Sequence, residues 1–157
     1  MKISILQIGN LPSKEIKTLC NQYESRLTNY TRLEIISLSE IKNASNLSAN
    51  ELKAKEWKAF EKKINAGSQV ILLDENGKNY DSVGFATFIQ KNQNTSIKEL
   101  IFIIGGAFGF SDEAYKRANQ KISLSSMTFN HQLVRLIFLE QLYRAFTIIK
   151  GEKYHHE

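Results

Sequence analysis

The chain has 157 residues, 42% hydrophobic and 24% charged, which suits one domain with a buried core and no covalent staples. Lys plus Arg number 21 against 16 Asp plus Glu, and the net charge of +5 permits an anionic partner without demanding one. A single cysteine, Cys20, excludes an intramolecular disulfide and fits a reduced, cytoplasmic compartment; no apolar run is long enough to span a membrane, and MKISILQIGN lacks the marks of a signal peptide.

Lys2 to Ile8 is a β-branched run ending at Gly9, and predicts the first strand. Ile16, Leu19, Cys20, Tyr23 and Leu27 recur at helical spacing behind the start signal Pro12-Ser13. Cys20 on that face is a small core residue, not a nucleophile. Leu33 to Leu38 is a second strand. Ser48 and Glu51 form a capping box that opens a helix running to about Ala66, with Gly67 as its stop. Trp57, Phe60 and Ile64 face inward there, and Lys53, Lys55, Lys58, Lys62 and Lys63 lie off that stripe. Gln69 to Leu73 is the third strand, Asp74 to Lys78 a turn, and Ser82 to Lys91 a helix. Leu100 to Ile104 is the fourth strand, followed by a short helix capped by Ser111 or Asp112. Ile122 to Ser125 is the fifth strand. A long helix from His131 to Lys150 ends at Gly151, and EKYHHE forms a tail.

Strands alternating with helices predict an α/β fold, a parallel sheet with helices on both faces, in one domain over residues 1–157. Ligands in such sheets bind at the carboxyl ends of strands. That focuses attention on Leu73-Asp74, Gly105-Gly106 and Leu124 to Phe129. The two glycines either let backbone approach a ligand or make a tight turn. Neither the dinucleotide fingerprint nor a phosphate-binding loop is present, and no metal-ligand spacing occurs. The adjacent His155 and His156 sit in the tail and imply no metal.

The last helix is apolar nearly all round. Arg135 and Glu140 point about 140° apart, and Arg144 lies about 40° further on. A helix of this kind is covered on more than one side. The sheet is one cover; the other is a second subunit or the chain's own loops. Glu140 and Arg144, at i,i+4 spacing, suit a structural ion pair.

FIIGGAFGF, followed by ISLSSMTFNHQLVRLIFLEQLYRAFTIIKGEKYHHE, resembles the RlmH family of SPOUT-class methyltransferases. The resemblance extends to MKISILQIG and VILLDENGK, and so covers the whole chain. It implies a SPOUT (alpha/beta-knot) fold with a C-terminal trefoil knot, and an antiparallel homodimer through the last helix. It implies S-adenosyl-L-methionine as cofactor, held by Leu73, Gly105, and the loop Leu124, Ser125, Ser126, Met127, Thr128 and Phe129. The implied reaction is methylation of N3 of a pseudouridine in large-subunit (23S) ribosomal RNA, on the assembled ribosome, without metal or membrane. Arg144, Tyr154 and His155 are the residues expected to act on the RNA, with His155 as proton acceptor or phosphate contact. The family usually has Pro where this chain has Asn130, which can cap the last helix instead. Two alternatives stay open: the same chemistry on another RNA such as tRNA, and a non-catalytic ribosome-binding module.

Overall fold

Strand β4 (Glu99–Ile104) is buried at all six positions, and the rest of the molecule is arranged about it. A computed structural model describes residues 1–154. β4 pairs with β1 (Lys2–Ile8) on one side and β3 (Gln69–Asn79) on the other. β2 (Arg32–Leu38) and β5 (Gln120–Ser123) complete a parallel sheet of order β2-β1-β4-β3-β5. The expected α/β architecture is observed.

Side chains alternate across the sheet, as the strand period of two requires. Ile3, Ile5, Ile71, Phe102 and Ile122 face α1 (Lys14–Leu27), α3 (Ser82–Gln93) and α5 (His131–Ile149). Leu6, Val70, Leu72, Ile101 and Ile103 face α2 (Ala49–Glu61) and α4 (Asp112–Arg117). Cys20 is buried in the first of these cores, and burial pushes its thiol up to about 11.

The caps fall where the residue types predict. Ser48 and Glu51 form the full capping box, and Ser111 caps α4. Asn130 caps α5 through its side-chain oxygen, which accepts from the Gln132 N–H at 2.9 Å. α2 departs from expectation by ending at Glu61 rather than near Ala66. The chain leaves the helix through two i→i−3 bonds, from Lys63 to Phe60 and from Ile64 to Glu61. Asn65 then reaches across to donate to Glu99 at 3.0 Å. β5 starts two residues earlier than expected, at Gln120, where it pairs with Ile71.

Asp74 to Lys78 is not a turn between elements. β3 continues to Asn79, and the segment bulges out of its pairing with β5, so that Leu73 and Lys78 both oppose Ile122. Gly77 makes this possible. A Cβ there would stand 2.6 Å from backbone atoms of Ile122, closer than any side chain permits.

Helix α5 packs against both α1 and α3. Much of its all-round apolarity is therefore satisfied inside the chain. Arg135 is buried and donates to the carbonyls of Ile8 and Gly9, tying the end of β1 to α5. Among the described residues, no helix is long and apolar enough to cross a membrane.

Candidate active site

The carboxyl ends of β3, β4 and β5 carry three segments that enclose a cavity of about 610 Å³. Leu73 to Asn76 form one wall, Gly105 to Phe110 the second, and Leu124 to Phe129, without Ser126, the third. Tyr115 from α4 and His131 and Val134 from α5 close it. Leu73, Gly105, Leu124, Ser125, Met127, Thr128 and Phe129 are thus brought together; Ser126 shares their loop but does not line the cavity.

The glycines first accommodate the protein itself. A Cβ on Gly105 would lie 3.0 Å from the Phe110 ring. One on Gly106 would meet the carboxylate of Glu56, with Oε2 at 2.7 Å. Only Gly109 of the three takes a positive φ, 75°; its N–H closes the turn onto the Gly106 carbonyl at 3.1 Å.

Side-chain bonds hold the other two walls. Asp74 accepts from the Asn76 N–H at 2.8 Å with one oxygen and from the Tyr115 hydroxyl at 2.6 Å with the other. Burial, together with this carboxylate, pushes the Tyr115 phenol up to about 12, so it remains a donor at neutral pH. In the third wall the Ser123 hydroxyl donates to the Ser125 carbonyl, and the Ser125 hydroxyl accepts from the Met127 N–H at 2.9 Å. Met127 (76% exposed) and Phe108 (59%) are the most exposed large apolar side chains described, and both belong to the cavity lining. An apolar mouth over a lining of main chain suits a ligand with a flat apolar face and a polar edge.

Asp74 lines the cavity beside Leu73, as the strand-end reading expects; Phe108, Phe110, Tyr115 and His131 join the site without having been singled out from sequence. For His131 the signal was available, since it adjoins the Leu124 to Phe129 segment already marked at a strand end. Tyr115 belongs to a short helix that no local pattern ties to the strand ends, and only the packing of α4 brings it to Asp74.

Arg144 and Tyr154 lie elsewhere. Arg144 is ten residues beyond Val134, about 15 Å along the helix. Its guanidinium bonds Glu140, as the i,i+4 spacing predicts, and stacks over the Tyr154 ring at 4.9 Å. Tyr154 packs edge-on against Tyr143, and its hydroxyl lies 3.3 Å from Glu140 and 3.4 Å from that of Tyr23. Residues 152–154 therefore fold back over α1 and α5, where Glu152 also accepts from the Tyr30 hydroxyl at 2.6 Å. His155 lies outside the described residues. Among them, no cluster of three or more His, Cys, Asp or Glu could hold a metal ion.

A parallel α/β sheet with one cavity at its carboxyl edge, walled by three loops, defines a small-ligand-binding α/β enzyme architecture. The family described as "Predicted SPOUT methyltransferase" matches residues 1–155. The chain belongs to the SPOUT methyltransferase family. It is also similar to proteins named "Ribosomal RNA large subunit methyltransferase H". That of Flavobacterium johnsoniae is 48% identical over the full length of both chains. That of Flavobacterium psychrophilum is 49% identical, again over both full lengths. That of Cytophaga hutchinsonii is 50% identical over 99% of this chain and all of its own.

Proposed function

We propose that this chain methylates N3 of a pseudouridine in large-subunit ribosomal RNA, on the assembled ribosome, with S-adenosyl-L-methionine as donor. The observation that carries this reading is the cavity between the three strand-end segments of a SPOUT methyltransferase. Its volume falls within the range of small-molecule sites. Its lining of backbone, apolar side chains and two carboxylates, Asp74 and Glu75, matches a nucleoside joined to a charged amino acid. The full-length likeness to proteins named as ribosomal RNA methyltransferases supports the substrate class.

The cofactor supplies a methyl group already activated on a sulfonium. The task left to the protein is alignment and proton routing. Leu73, Gly105, Leu124, Ser125, Met127, Thr128 and Phe129 hold the donor, and Ser126 completes the third loop. The exposed faces of Phe108 and Met127 offer the base an apolar platform. The N3 proton must leave to an acceptor. His155 fills that role or contacts phosphate, and Arg144 and Tyr154 position the RNA.

In one chain Arg144 and Tyr154 are remote from the cavity, so this reading requires a homodimer in which one copy's helix end faces the other's cavity. Leu19, Val83 and Leu133 support this. They are 42%, 39% and 42% exposed and belong to α1, α3 and α5, which share one side of the sheet. The trefoil threading and the action of residues 1–157 as one catalytic unit in the cytoplasm belong to the same reading.

The test is transfer of labelled methyl from S-adenosyl-L-methionine to ribosomes lacking the modification, with the product mapped by mass spectrometry. Free ribosomal RNA and tRNA serve as competing substrates. Label on N3 of a ribosomal pseudouridine is expected; label only on tRNA, or none with a folded protein, would overturn the reading. Sedimentation at micromolar concentration should show a dimer. Removing residues 154–157 should leave cofactor affinity intact and abolish transfer.

A further inference from the structure

The charge of the cavity is set by the bulge of β3. Asp74 and Glu75 both line it, and among the described residues no Lys or Arg does. His131 is the other lining residue of a type that titrates near neutral pH. This acidic lining belongs to a chain whose net charge is +5. The lysines of the neighbouring segments are engaged outside the lining. Lys78 lies over the Tyr80 ring at 4.6 Å, and Lys121 over the Tyr115 ring at 5.1 Å. Arg144, which the proposed dimer brings toward the cavity, is paired with Glu140 at 2.6 Å.

The charge of Asp74 is held in place without being cancelled. Its partners, the Asn76 N–H at 2.8 Å and the Tyr115 hydroxyl at 2.6 Å, are neutral donors. The Tyr115 phenol, pushed up to about 12, keeps its proton. No ion pair reaches Asp74 or Glu75 among the described residues. Apolar walls such as Ile104, Phe110 and Val134 lower the local dielectric and strengthen the field of the carboxylates across the cavity.

A cavity of this sign suits a cation and disfavours a phosphate. The methyl donor bears a positive sulfonium. The product left after transfer bears a neutral thioether, because the C–S bonding pair stays on sulfur. The two differ by one methyl and one positive charge. We propose that Asp74 and Glu75 are specificity-determining residues that favour the charged methyl donor over its neutral-sulfur product, and so favour release of the product once the methyl has gone. This rests on the methyltransferase reading of the cavity. Specificity of this kind is a difference of two affinities, and the sulfonium charge enters only one of them.

The test is calorimetry on the full chain with S-adenosyl-L-methionine and S-adenosyl-L-homocysteine, at about pH 8, above the ordinary imidazole range. The ratio of the two Kd values is the readout. Asp74→Asn keeps the size and an acceptor oxygen and removes the charge. It should lower the preference for the donor about fivefold, chiefly by weakening the donor. Glu75→Gln, at an exposed position, should lower it about twofold. Added salt should lower the wild-type preference in the same direction. Residues that only hold the wall together would weaken both ligands alike and leave the ratio where it was. An unchanged ratio in Asp74→Asn would overturn the proposal; where that variant does not fold, an unchanged ratio in Glu75→Gln would do so. If wild type binds neither ligand, the methyltransferase reading of the cavity fails and the proposal with it. If it binds both and the ratio ignores the carboxylates, the proposal alone fails.

Discussion

Glu99 and Glu56 are equally buried, each 7% exposed, and sit at opposite ends of the sheet. At the amino edge Glu99 accepts from Ser4 at 2.6 Å, Ser68 at 2.9 Å and Asn65 at 3.0 Å, and pairs with Lys2 at 2.9 Å. Burial by itself would raise its pKa, but these four partners outweigh that and hold it at about 2. At the carboxyl edge no ion pair reaches Glu56 among the described residues, and burial raises its carboxyl above the ordinary value. The same side chain is a staple at one end and a cost at the other.

The largest effect should come from breaking the satisfied end. Glu99→Ala strands the three donors and leaves the Lys2 ammonium with Glu34 alone, and should cost about 3 kcal/mol in denaturant unfolding. Calorimetry should find cofactor affinity of the folded variant unchanged. The same network sets the acid limb. The folded carboxyl titrates at about 2 against an ordinary 4.5. Between these values the unfolded chain binds the extra proton, so stability falls as pH falls through this window, by about 3 kcal/mol in all. Glu99→Gln should flatten that part of the pH–stability curve, and a curve of wild-type slope would remove Glu99 from the account.

At the carboxyl edge, Gly77→Ala drives a Cβ into the backbone of Ile122. It should cost about 1–3 kcal/mol and also weaken cofactor binding, because the bulge bearing Asp74 must shift. Thermal unfolding and calorimetry together check this. Glu56→Gln tests the unsatisfied partner of the comparison with the opposite sign. A carboxyl whose folded pKa is raised weakens the fold above that pKa, so the neutral variant should match or exceed wild type in unfolding midpoint at neutral pH. The smallest effect belongs to Tyr115→Phe. Its bond to Asp74 is exposed, and its loss should cost about 0.5–1 kcal/mol, with a modest loss of cofactor affinity.

The legibility of the chain follows the same division. Strands β1, β2 and β4, the face of α1 that buries Cys20, the Ser48 capping box and the Asn130 cap depend on residues a few positions apart, and each lies where the spacing predicts to within a residue. Leu73, Gly105 and the Leu124 to Phe129 loop, Ser126 apart, converge because strand ends of a parallel sheet must share an edge. Departures occur where a distant group intervenes. α2 stops early as Asn65 turns toward Glu99. The DENGK segment becomes a bulge because it lies against β5, some forty residues further along the chain. Tyr154 folds onto Tyr143 and Arg144 rather than extending past the helix.

The sequence by itself determined the order and kind of the elements, the core-facing residues and the edge of the sheet that bears the site. Hydrophobic period, caps and breakers act over a single turn or strand, and so are written locally. Only the tertiary structure decided what Gly105 and Gly106 make room for, which carboxylate is stapled and which is left short of partners, and that Tyr115 meets Asp74. Those outcomes depend on burial and on hydrogen-bond partners from different elements, and the electrostatic cost of a buried group is fixed only once its surroundings have closed around it.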